Sequence, residues 1–181
     1  MPDSTHASPL LWLARFEHMC RDHAHSLPRQ VHHESTWIGV GFRLGRLNLV
    51  APLAEVAEIL TPPGLSQVPC TRAWVCGIAN VRGNLMPVVD LLGYLYDRPA
   101  VANRRSRVLV VNHKDVCTGL VVDAVLGLRH FREEQRCREL PGDDPRIQEY
   151  MTHGFREDAG HWGVFSMHRL AEAPRFLQAA V

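Results

Sequence analysis

From Trp37 onward the apolar residues gather in short runs rich in Val, Leu and Ile, punctuated by Gly, Pro and Asn. Such punctuation predicts strands and turns. The runs extend from Trp37 to Leu44, Arg46 to Ala51, Val56 to Leu60, Gly77 to Val81, Asn84 to Asp90, Arg107 to Asn112, Val116 to Val122, Leu126 to Phe131 and Gly163 to Met167. Gly45 with Arg46 and Gly83 with Asn84 suit tight hairpins, and His113-Lys114-Asp115 supplies a third turn. Short strands at this spacing predict small barrels or a sandwich, not alternating β and α units.

Ahead of the strands the period changes. Ser8 followed by Pro9 reads as a helix cap with proline at the first helical position, and Trp12, Phe16, Met19 and His23 recur at helical spacing. This predicts an amphipathic helix from Pro9 to His25, ended by Leu27 and Pro28, with a polar linker through Ser35. Residues 1–35 are thus a helix and linker, and 36–181 the domain. The helix can pack on its own domain or bind a partner helix. A short helix is expected after Asp90, through Leu91, Leu92 and Leu95. The segments Asp97 to Ser106 and Pro141 to Pro145 read as loops. The tail from Leu170 to Val181 reads as helical, with Pro174 starting its last turn.

Charge narrows the function classes. Lys and Arg total 20 against 19 for Asp and Glu, so no net field holds a phosphate backbone or an anionic membrane surface. No stretch approaches the roughly 20 apolar residues of a spanning helix, and no basic segment leads into a long apolar run at the N-terminus. A cytoplasmic protein that binds no nucleic acid and inserts in no membrane is expected. The five cysteines, Cys20, Cys70, Cys76, Cys117 and Cys137, include no Cys-x-x-Cys pair, which argues against a disulfide framework and a zinc site alike. His18, His23, His25, His32 and His33 cluster, but without thiolates or carboxylates at ligand spacing they read as solvated imidazoles.

No nucleophile elbow, phosphate-cradling Gly-rich loop or His-Glu-x-x-His helix is present. Asp90 and Asp123 each end an apolar run, a position that suits a catalytic carboxylate where strands are parallel. In an antiparallel sheet the ordinary role is a cap for the following turn or helix. No catalysis, cofactor or metal is expected.

The segment from Gly77 to Leu91, Gly-Ile-Ala-Asn-Val-Arg-Gly-Asn-Leu-Met-Pro-Val-Val-Asp-Leu, resembles the core signature of the CheW family, a Gly-Val-x-Asn-Leu-Arg-Gly hairpin leading into Pro-Val-x-Asp-Leu. Phe42-Arg43-Leu44-Gly45, Val56-Ala57-Glu58-Ile59-Leu60, Val68-Pro69, the run from Arg107 to Val111, and Gly119-Leu120-Val121-Val122-Asp123 follow the family order. The N-terminal helix, Gly39-Val40-Gly41-Phe42, Val50-Ala51-Pro52 and the run from Trp162 to Met167 resemble the PilI-type branch serving type IV pilus systems. Val81 stands where relatives carry Leu, and Ser166 to His168 where many carry Leu-Asp-Leu.

The resemblance implies a mainly β fold of two interlocked five-stranded SH3-like barrels around a shared apolar core. It implies a non-enzymatic adaptor, monomeric when isolated, that couples chemoreceptor signalling tips to the regulatory domain of a CheA-like histidine kinase in membrane-associated arrays. The alternatives are a flagellar coupling protein and, outside the family, an enzyme or a metal- or ligand-binding barrel using Cys70, Cys76 or the histidines.

On this reading the hairpin Asn80, Val81, Arg82 and Gly83 faces the receptor, and Val56, Glu58 and Ile59 face the kinase. A planar guanidinium on a tight hairpin can bind several acceptors at low entropic cost, which makes Arg82 the candidate anchor. It can equally bond a carboxylate within its own domain. Glu58 is a rim charge or an ordinary solvent-facing strand position. Asn80 and Gly83 are more often turn formers than contacts.

Overall fold

The computed structural model describes Leu13 and residues 17–19, 36–98, 104–157 and 160–179. The chain divides into two compact units, Met1–Glu34 and Ser35–Val181. In the first, Leu13 and residues 17–19 are helical, with Leu13 and Met19 exposed. The rest of the expected helix and its linker lie outside the described residues.

Among its described residues the second unit carries eleven strands. They are β1 (Thr36–Leu44), β2 (Leu47–Pro52), β3 (Glu58–Leu60), β4 (Val75–Val81), β5 (Asn84–Asp90), β6 (Arg107–His113), β7 (Val116–Val122), β8 (Ala124–Arg132), β9 (Arg136–Cys137), β10 (Met151–Glu157) and β11 (Gly160–Phe165). Among the described residues two short helices join strands, α1 (Leu91–Tyr96) and α2 (Pro145–Gln148), and two follow the last strand, α3 (Met167–Glu172) and α4 (Pro174–Leu177). All nine expected strands form, the last ending at Phe165 because Ser166 caps the helix that starts at Met167, and β9 and β10 are additional. The helix after Asp90 is present, and the tail is helical over Met167–Glu172 and Pro174–Leu177, with Pro174 at the first turn of α4, while Gln178 and Ala179 are not helical and residues 180–181 lie outside the described residues.

Pairing gives a six-stranded sheet in the order β8-β1-β2-β11-β10-β9 and a five-stranded sheet in the order β3-β6-β7-β5-β4. The expected count of five and five is exceeded by the two-residue strand β9. Every pairing is antiparallel except β2 with β11 and β5 with β7. The antiparallel setting against which Asp90 and Asp123 read as caps is therefore corrected: each sheet is mixed.

Both sheets curl. In the second sheet β3 and β4 are four strand spacings apart, about 19 Å if it were flat, yet Arg82 beyond the end of β4 contacts Glu58 of β3 at 2.6 Å. The β3–β4 connection also returns to its own sheet, where Ser66 bridges Ile78 of β4. In the first sheet the edge strands β8 and β9 are joined by the three-residue 3-10 turn Glu133–Gln135. Arg132 and Arg136 at its ends are within about 14 Å, whereas five spacings of a flat sheet span about 24 Å.

Each barrel has its own small interior. Val50, Phe131, Phe155, Trp162 and Val164 fill one, with Phe131 and Phe155 stacked at 4.5 Å. Ala79, Val88 and Val108 fill the other. A larger shared cluster draws Phe42 of β1, Leu109 of β6, Leu120 of β7, Tyr94 of α1, Phe165 of β11 and Phe176 of α4 into one buried mass. The alternation of β1 serves two cores: Val40, Phe42 and Leu44 belong to the shared cluster, while Gly41 leaves room on the other face. A Cβ there would sit 2.9 Å from Arg129 and 3.2 Å from the Trp162 ring.

Candidate functional site

The hairpin joining β4 and β5 turns at Arg82 and Gly83, one residue earlier than expected, because Val81 pairs with Asn84. Both turn residues have positive φ, 51° for Arg82 and 89° for Gly83, which matches the right-handed twist of the flanking strands. The Asn80 Oδ1 accepts the Gly83 N–H at 2.9 Å and fixes the turn from inside. Val81 points its half-buried side chain at the barrel interior, so it packs within the domain. Arg82 is left projecting, its side chain 79% exposed.

The expected kinase-side strand is shorter than its apolar run. Val56 closes the 3-10 turn Leu53–Glu55 and packs on the shared cluster, and only Glu58–Leu60 pairs as strand, against β6. The Ala57 N–H still donates to the Val110 carbonyl at 2.8 Å. β3 ends its sheet's pairing order, with Ile59 exposed.

The two expected surfaces meet. The Arg82 guanidinium donates to Glu58 Oε1 at 2.6 Å, with Glu58 27% exposed. Residues assigned to different partners thus form one ion pair across the barrel seam.

Sequence reasoning missed several exposed apolar residues, on the hairpin and on the other sheet. Leu85 lies across from Asn80 with 73% of its surface exposed. Ile38 and Leu128 are diagonal neighbours on the face of β1 and β8 that carries buried Val40, yet both are exposed. In the sequence each is one more apolar residue of a strand run; only the burial separates them from core.

Of the two acids that end apolar runs, Asp90 caps the element that follows it and Asp123 does not. Asp90 closes β5 beside parallel β7, and its carboxylate accepts the Gly93 N–H at 3.1 Å, capping α1. Asp123 accepts the Gly45 N–H at 2.6 Å and so fixes the β1–β2 turn, distant in sequence, not the turn that follows it. Burial pushes the Cys76 thiol up, with the Asp90 charge adding to the effect. Cys70 and Cys117 are exposed. Among the described residues no three His, Cys, Asp or Glu side chains are grouped to hold a metal ion, and no helix is long and apolar enough to cross a membrane. His23, His25, His32, His33 and Cys20 lie outside the described residues.

A polar cluster gathers where the β6–β7 hairpin meets α3. Lys114 and His113 both contact Glu172 Oε1, at 2.6 and 2.8 Å, and the His113 and His168 rings stack at 4.0 Å. The Lys114 hydrogen bond, then that of His113, holds the Glu172 carboxyl down at about 2. A folded value below the ordinary one means that this group's stabilisation is present above about pH 4.5 and is lost as pH falls toward 2. The stability difference between wild type and Glu172→Gln is therefore expected to close across that window, measured by chemical unfolding at stepped pH. A difference constant from pH 5 to pH 2 would count against the pairing.

Comparison with known proteins agrees with this architecture. Residues 39–174 match the CheW-like domain. The chain is 40% identical to the protein PilI of Pseudomonas aeruginosa over 174 residues, 96% of this chain and 97% of that one. It is 38% identical to FrzA of Myxococcus xanthus over half of this chain and 56% of that protein. It is 33% identical to the chemotaxis protein CheW of Helicobacter pylori over 46% of this chain and 51% of that one. The crystal structure of the scaffolding protein TtCheW from Thermoanaerobacter tengcongensis superposes with a TM-score of 0.66 at 22% identity, covering 77% of this chain and 94% of that one. With that domain spanning most of its length and PilI matched almost end to end, the chain belongs to the CheW-like family as a PilI-type member.

Proposed function

We propose that this chain is a scaffold that couples a chemoreceptor signalling tip to the regulatory domain of a CheA-type histidine kinase in a type IV pilus chemosensory system. It acts in the cytoplasm at membrane-associated receptor arrays. The observation that carries the proposal is an exposed arginine on a rigid hairpin beside a short, exposed edge strand. An arginine anchor with apolar neighbours is the composition of a binding hot spot, and an edge strand with free backbone groups can take another strand alongside. In this reading Arg82, with the Asn80–Gly83 hairpin and Leu85, serves the receptor side. Val56, Glu58 and Ile59 serve the kinase side.

Neither role calls for bond chemistry. Holding two partners in one geometry raises their effective concentration for each other, which is the whole output of a scaffold. The near end-to-end match to PilI at 40% identity favours the pilus system over the flagellar one, because the CheW of Helicobacter pylori is 33% identical over 46% of this chain and TtCheW 22% identical over 77%.

The test is titration of the full chain against a receptor signalling-tip fragment and against the kinase regulatory domain, separately and then together. Binding to each and a ternary complex are expected. Failure to bind either partner, or tighter binding of flagellar than of pilus receptors, would overturn the respective part of the assignment.

A further inference from the structure

We propose that Glu55 is a positioning residue for the kinase-facing edge: its carboxylate clasps the start of α3 and so sets where β3 lies. The proposal rests on the reading of β3 as the kinase-docking strand.

Leu53–Leu60 is the crossover from the first sheet to the second, held otherwise by Val56 on the shared cluster and by its pairing with β6. The 3-10 turn Leu53–Glu55 buries no residue and has no side-chain cap. β3 is three residues long and pairs only with β6. A segment so lightly held is the kind that opens locally.

Glu55 supplies what the turn lacks. Its two carboxylate oxygens accept from Ser166 Oγ at 3.3 and 3.2 Å, and one accepts the His168 backbone N–H at 3.2 Å. The His168 Nδ1 lies 3.8 Å from the other oxygen, and the Glu55 side chain is only 14% exposed. A carboxylate at a helix start satisfies N–H groups that the helix cannot. The helix it grips is anchored in the core by buried Met167, Leu170 and Ala171. Beyond His168 the network continues through the stacked His113 ring to Glu172 and Lys114. Glu55 and the Ala57–Val110 hydrogen bond are thus two successive fixing points of one strand entry.

The first measurement needs no partner. Amide exchange by NMR on the full chain is expected to lose protection at Ala57 in Glu55→Ala by roughly fivefold to tenfold, the scale of one lost capping acceptor. Glu55→Gln, which keeps the length and an acceptor, should restore most of it, and amides of β7 should not change. Unchanged protection at Ala57 overturns the positioning role.

The second measurement is affinity. Glu55→Ala should weaken kinase-domain binding by a similar factor, leave receptor-tip binding unchanged, and be rescued by Glu55→Gln. Loss of both partners with a large fall in Tm would mark Glu55 as a folding residue and overturn the proposal. Ile59→Asp is the control: if it binds the kinase domain normally, the docking reading fails, and the Ala57 measurement still decides the clasp. If Ile59→Asp abolishes binding while Glu55→Ala binds as wild type, the docking reading stands and the positioning role falls.

Discussion

Arg82→Ala is expected to weaken binding to a receptor signalling-tip fragment by roughly thirtyfold, the scale of a hot-spot arginine worth about 2 kcal/mol. The fold should not notice. The ion pair with Glu58 is largely exposed on the arginine side, and exposed pairs contribute at most about 1 kcal/mol. Alanine also keeps the comparison clean: position 82 sits at φ 51°, where any residue with a Cβ carries similar strain, so the substitution removes the guanidinium without changing the turn's cost. Arg82→Lys separates charge from shape. If planar, multidentate contact is what the receptor meets, lysine recovers little of the loss. The measurement is titration of wild type and both variants against the tip fragment, with thermal melts alongside. Equal affinities would remove Arg82 from the receptor surface, and a large drop in melting temperature would make it a structural residue.

The strand content was legible because burial on one or both faces leaves Val, Leu and Ile in dense runs, as in β6 and β7. β10 escaped because its residues, Met-Thr-His-Gly-Phe-Arg-Glu, alternate around a glycine and a register shift, and only Met151, Gly154 and Phe155 are buried. The two parallel pairings join strands distant in sequence, which no local pattern encodes. The sequence points to a turn one residue late because arginine is a poor candidate for positive φ. The Asn80 side chain, by accepting from Gly83, makes that conformation tenable. At the site, the family motif carries the residue types but not their pairing. Glu58 and Arg82 are 24 positions apart and meet only because the barrel closes.

On the proposed reading that meeting also bears on the kinase side. Ile59→Asp is expected to lower affinity for the kinase regulatory domain by roughly a hundredfold, because it replaces an exposed apolar contact with a charge that also discourages strand pairing at an edge. Since Ile59 is 43% exposed, its loss should cost the free protein little stability. Glu58→Lys is a different kind of change. Treated as an isolated rim charge, it should affect the kinase alone, but its carboxylate holds the Arg82 guanidinium, so lysine there sets two cations against each other and turns Arg82 away. Both affinities are then expected to fall, the kinase by loss of a complementary charge and the receptor by misplacement of its anchor. The charge swap Glu58→Lys with Arg82→Glu restores the pair but puts the opposite sign before each partner. Stability should therefore return to the wild-type value while neither partner binds well. A double-mutant cycle read on three quantities, Tm, receptor affinity and kinase affinity, separates the contributions. If Glu58→Lys lowered kinase binding and left the receptor titration unchanged, the 2.6 Å contact would have no bearing on how the hairpin is presented, and the two surfaces would be independent.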